Sequence, residues 1–118
     1  MLQDSPELSE NARAVATNLS NEMLLSMASA WEIAIKQTLG KINLRSPFRE
    51  FIEGAVTHAG LTLLPITLEH VGRIADLPLH HRDPFVRLLV AQALAEGVPL
   101  LSRDELLDAY GVRRLWWR

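Results

Sequence analysis

The sequence contains no cysteine. Disulfides, thiolate metal sites and cysteine nucleophiles are therefore excluded, and the composition suits a reducing compartment. Neither sign of charge dominates: 12 Lys+Arg stand against 14 Asp+Glu, a formal net charge of -2. Electrostatics thus supply no general attraction to nucleic acid, and any RNA contact has to be local and metal-assisted. No apolar run reaches the roughly 18 residues that a membrane helix needs. The first six residues, Met1-Leu2-Gln3-Asp4-Ser5-Pro6, have neither a basic stretch nor an apolar stretch of the secretory kind. A cytoplasmic protein without membrane contact is the expectation. Gly-rich phosphate loops of the G-x-G-x-x-G or Walker A type are also missing, which weakens any nucleotide-cofactor reading.

What remains is an ordinary globular composition, 48% hydrophobic and 22% charged over 118 residues. It predicts a single domain spanning 1–118 with one real core. Caps and breakers divide it. Ser9 heads a predicted helix over 10–19, and residues 23–27 (Met-Leu-Leu-Ser-Met) read as a buried strand. Ser29 and Glu32 match a capping box for a helix running to Leu39, with Gly40 ending it. Ser46-Pro47 and Asp83-Pro84 each pair a capping residue with a proline at the first helical position. Thr67 heads another helix, 61–66 and 98–101 read as strands, and a short helix near 105–109 precedes a strand over 112–117. Trp116 and Trp117 on that last strand would point to opposite faces. The segment after Asp83 is apolar on nearly every side and is predicted to be buried all round. Helices alternating with short apolar strands imply the α/β class, a short parallel sheet covered by helices on both faces.

In such sheets functional groups gather at the carboxyl ends of strands. The four histidines, at 58, 70, 80 and 81, lack metal-ligand spacing, so surface or capping roles are expected of them. Ser26, Ser29 and Ser102 lack a nucleophile-elbow context. Three carboxylates near strand–helix junctions are left: Glu32, Asp83 and Asp104. Together they would form an oxygen-rich site suited to Mg²⁺ or Mn²⁺. Each also has a purely structural reading. Glu32 can close the Ser29 box or pair with Lys36 one turn on; Asp83 and Asp104 can be helix caps. The expected arrangement puts Glu32 and Asp104 in one cleft with Asp83 at its rim.

Three segments, in order and in register, resemble the PIN-domain family in its VapC-type toxin branch. The first is residues 26–36, Ser-Met-Ala-Ser-Ala-Trp-Glu-Ile-Ala-Ile-Lys, followed by Leu39-Gly40-Lys41-Ile42. The second runs from Leu77 to Ala93 through His80-His81-Arg82-Asp83-Pro84-Phe85-Val86-Arg87. The third is Leu100-Leu101-Ser102-Arg103-Asp104 with Tyr110-Gly111-Val112 beyond it. The resemblance covers essentially the whole chain. It implies a Mg²⁺- or Mn²⁺-dependent endoribonuclease of a toxin–antitoxin system, acting on RNA, blocked by a small antitoxin protein and forming homodimers. It assigns catalytic and metal-binding roles to Glu32, Asp104 and Asp83.

Two departures from the family pattern qualify the activity. The second aspartate of the Asp-Pro-Phe-Asp-Arg motif is Val86 here. The family also opens with a central strand ending in a catalytic aspartate, in a pattern like Leu-Leu-Asp-Thr, whereas residues 2–9 resemble the later loop, and Asp4 sits in the wrong context to replace that group. The expectation is therefore a PIN-like fold lacking its first, central strand, through a late start, a fragment or a decayed gene, with impaired activity. The alternative is a non-catalytic PIN-derived module that binds or dimerises through the exposed sheet.

Overall fold

The structure is a computed structural model, and it describes residues 2–3, 22–102 and 105–115. Five strands, β1 (Leu2–Gln3), β2 (Leu24–Ser26), β3 (Thr62–Leu64), β4 (Leu100–Leu101) and β5 (Arg114–Leu115), form one sheet in the order β3-β2-β1-β4-β5. All four pairings are parallel, with Leu24 opposite Thr62 and Leu2, Leu2 also opposite Leu100, and Leu101 opposite Leu115. The α/β class with a short parallel sheet is thus what the alternation of elements predicts. The sequence pattern leaves the central place empty; in the structure the two residues of β1 fill it. Two extended residues suffice, because β2 and β4 each present backbone N–H and C=O groups that a strand between them satisfies.

Among the described residues four helices lie between the strands: α1 (Met27–Thr38), α2 (Phe48–Thr57), α3 (Leu68–Asp76) and α4 (Pro84–Glu96), followed by a 3₁₀ turn over Glu105–Tyr110. Their starts correct two sequence expectations. The cap of α1 is Ser26, whose Oγ accepts the Ala28 N–H at 3.0 Å. Ser29 and Glu32 lie inside the helix and do not form its capping box. Strand β2 ends in a residue that can itself cap, so the helix begins three residues earlier. For α2, Pro47 is the capping position and supplies no side-chain acceptor, so Ser46 stands outside. Two other starts match the sequence pattern. Asp83 caps α4 by accepting the Phe85 N–H at 2.9 Å, with Pro84 next. Thr67 caps α3 through a reciprocal box in which His70 takes the place usually held by Glu or Gln. Gly97, at φ +66°, closes α4 in the left-handed conformation that glycine adopts without strain. The predicted helix over 10–19 and the tryptophans at 116 and 117 lie outside the described residues.

Helix α4 is the central packing element. Leu88, Leu89, Val90, Ala91, Gln92 and Ala93 are all buried, as are Leu100 and Leu101 of β4. Of these, Leu89, Val90, Ala93 and Leu100 form one core cluster with Leu64, Leu107, Tyr110 and Val112. Within this apolar setting runs a connected set of polar groups. Ser26 Oγ donates to Gln92 Oε1. Gln92 Nε2 faces the Pro65 carbonyl at 3.4 Å and His70 Nδ1 at 3.3 Å. The Thr67 backbone N–H also donates to His70 Nδ1, at 3.1 Å. Two N–H donors directed at Nδ1 make it the acceptor, so the ring proton sits on Nε2, 3.5 Å from the Glu96 carboxylate. His70 therefore has the capping role, but from a buried position. No helix among the described residues is long and apolar enough to cross a membrane.

This polar chain predicts that Gln92→Leu, which keeps side-chain volume but removes the acceptor of the Ser26 hydroxyl and the donor to the Pro65 carbonyl, destabilises the fold by about 2 kcal/mol. Urea unfolding should show the loss as a lower midpoint at unchanged slope.

Candidate active site

The end of β2 delivers Ser26, and the cap there fixes where α1 begins and hence which side chains share a face. Ser29, Glu32 and Lys36 lie three and four residues apart, so they form one stripe. Glu32 and Lys36 are ion-paired at 3.4 Å, with side chains 26% and 45% exposed. That pair is solvated enough to be easily separated.

Opposite this stripe stands the first turn of α4. A cavity of about 220 Å³ lies between the two, with Ser29, Glu32 and Lys36 on one wall and Asp83 on the other. Phe85, Val86 and Leu89 supply its apolar surface. Glu32 and Asp83 thus open into one space. Asp83 serves as cap and lining residue together. A carboxylate has about four acceptor positions, so the bond from the Phe85 N–H leaves capacity toward the cavity. Asp104, expected beside Glu32, lies outside the described residues, three positions past β4. Asp4, which directly follows the central strand β1, is outside them as well.

Val86 lines this cavity together with Glu32, so the position where the family pattern carries its second aspartate is apolar in the same space. The two-carboxylate set accords with a weak oxygen-donor site and offers neither thiolate nor imidazole. Among the described residues no group of three or more His, Asp or Glu side chains is placed to hold a metal ion. Mg²⁺ nevertheless commonly uses one or two protein carboxylates and keeps waters in its remaining positions. The donors present fit that mode.

Two features were not legible from residue spacing. The phenol oxygen of Tyr110, a buried residue and the sole tyrosine, accepts the backbone N–H groups of His80 at 3.1 Å and His81 at 2.9 Å. His81 Nδ1 in turn accepts the Asp83 N–H at 3.1 Å. The loop leading into Asp83 is therefore held from the far end of the chain, across about thirty residues that no local pattern connects. Trp31 is the second feature: its ring meets that of Phe85 edge to face at 4.9 Å. Its position directly before Glu32 was the available signal.

Tyr110→Phe removes the acceptor from two backbone N–H groups at once. It should lower stability by about 1–3 kcal/mol. Amide hydrogen exchange should quicken selectively at His80 and His81, while the amides of Val90 and Ala91 change only in step with global stability.

Comparison with known proteins agrees with the geometry. A 58-residue stretch is 36% identical to Ribonuclease VapC16 of Mycobacterium tuberculosis (strain ATCC 25618 / H37Rv), covering 49% of this chain and 40% of that protein. The chain therefore shares under half of that relative's length. The PIN domain family model matches residues 2–112, from the central strand β1 through the 3₁₀ turn. With the parallel sheet and the carboxylate-lined cavity, that match establishes that this chain belongs to the PIN domain family.

Proposed function

We propose that this chain is a VapC-type endoribonuclease that uses a divalent metal ion, with Glu32 and Asp83 holding the metal side of the cavity. The observation that carries the reading is the opening of these two carboxylates, from separate helices, into one cavity of a PIN-domain chain. The relative's printed name, a ribonuclease, supports the RNA substrate. Asp104 is the third proposed ligand, since it follows β4 in the sequence and sites in parallel sheets form at the carboxyl ends of strands. A small antitoxin protein and a second copy of the chain are the proposed partners, in the cytoplasm.

When bound there, Mg²⁺ or Mn²⁺ supplies an activated water and offsets the charge developing on the phosphate. The protein's own groups do the rest. Asp83 is held in place by its cap bond and by the loop anchored on Tyr110. Lys36 neutralises Glu32 in the resting site and can turn its ammonium toward a phosphate oxygen instead. Phe85, Val86 and Leu89 exclude water from one side, which strengthens the electrostatics inside.

Val86 places a methyl-bearing wall where an acid would complete the ligand set, and this supports impaired cutting. It equally favours the second reading, a module that binds partners without cleaving RNA. One assay separates them: cleavage of a mixed RNA pool in Mg²⁺ or Mn²⁺. The proposal expects slow, chelator-sensitive cutting, reduced on the order of 10²-fold by Glu32→Gln and by Asp104→Asn, since misplacing the ion by about 1 Å costs that much. Asp83→Asn keeps the cap, because Asn caps as well as Asp, so its loss of activity would report on the metal alone. Val86→Asp should raise the rate at least about tenfold and tighten Mn²⁺ binding by calorimetry. Cutting that survives chelation, or no cutting by either the unsubstituted chain or Val86→Asp, would overturn the ribonuclease reading.

A further inference from the structure

Trp31 is 57% exposed, among the most open of the large apolar side chains. It is nevertheless held in place, with its ring edge to face against Phe85 at 4.9 Å and an interplanar angle of 70°. Phe85 in turn lines the cavity that contains Glu32, Lys36 and Asp83. A rigid aromatic surface therefore runs from the cavity to the outside, with the Lys36 ammonium, 45% exposed, in the same cavity. We infer that Trp31, backed by Phe85, is a stacking platform for an unpaired base of single-stranded RNA, seated next to the phosphate that Lys36 and the cavity receive.

The inference rests on the ribonuclease reading and adds the residue that receives a base. Three arguments carry it. The net charge of -2 supplies no general attraction to RNA, so contacts that need no charge have to contribute to binding. Base–aromatic stacking is such a contact, and it tolerates any base because every base has a π face. The Phe85 contact restrains the Trp31 ring before RNA arrives, which reduces the ordering cost of binding. A base inside a duplex already has both faces covered, so the platform selects unpaired RNA.

The test measures binding of a fluorescein-labelled single-stranded RNA of about ten nucleotides, a length in the range such sites occupy, by anisotropy. The full chain carries Glu32→Gln, which slows cutting on the order of 10²-fold, so that the labelled RNA stays intact during the measurement. Trp31→Ala should weaken binding on the order of 10- to 100-fold. Trp31→Phe, which still stacks, should retain most of the affinity. The same RNA in duplex form should bind weakly and equally to all three proteins. For one phosphate contact, log Kd should vary with log salt at a slope of only about 0.7. If the unsubstituted chain cuts RNA while Trp31→Ala binds single strands within about twofold, the platform is wrong and the ribonuclease reading stands. If the unsubstituted chain neither cuts nor the Glu32→Gln chain binds RNA, both fall. If Trp31→Ala instead dissociates a dimer in sedimentation and leaves RNA binding intact, the ring belongs to a protein interface and the inference is overturned.

Discussion

The hydrogen bond from Ser26 to Gln92 is the contact on which the arrangement depends. It lies at the end of β2, where Ser26 also caps α1, and it ties that cap to the most buried stretch of α4. Gln92 extends the tie through His70 to the start of α3. Three helix positions are thereby fixed by one side-chain amide in a setting where unpaired polar atoms are costly. Apolar packing alone would allow α1 to rotate or slide against α4 at modest cost. A polar chain with one satisfying geometry does not.

The cavity follows from that restraint. With the first residue of α1 set, Ser29, Glu32 and Lys36 face the first turn of α4, and Asp83 meets them because a capping residue stands at the helix end that faces the same space. The electrostatic logic is economical. Glu32 is balanced by Lys36 and Asp83 by the N-terminal dipole of α4, which favours a negative charge there. A divalent ion can therefore displace Lys36 from Glu32 without leaving a buried charge unpaired, while Asp83 keeps its cap bond and turns its remaining acceptor capacity to the cavity.

Much of this was legible in the sequence because caps, prolines and apolar runs act locally. Thr67, Asp83-Pro84 and Gly97 mark real boundaries, and the all-round apolar pattern after Pro84 identified the central helix. The alternation of elements gave the parallel sheet. Ser29 misled because a capping box is defined by spacing alone, and spacing cannot tell that Ser26 is buried against Gln92. Gln92 and His70 carried no signal, since an amide in an apolar run and an imidazole on a mixed helix look like ordinary polar residues until a partner 66 or 22 positions away is known. The central place of Leu2–Gln3 was equally hidden, because two residues are too few to show a strand pattern. Glu32 and Asp83 were singled out in the sequence for their carboxylates, and the structure brings both, with Val86, to the lining of one cavity.

The central claim is that a divalent ion binds between α1 and the start of α4. Paramagnetic broadening of backbone amide signals by Mn²⁺, titrated into the isotopically labelled chain, tests it without reference to catalysis. The account predicts that signals from Ser29 to Lys36 and from Asp83 to Val86 broaden first and together, and that excess Mg²⁺ restores them. Broadening that begins instead at the exposed carboxylates Glu50, Glu53 or Glu69, or that spreads evenly over the chain, would contradict it.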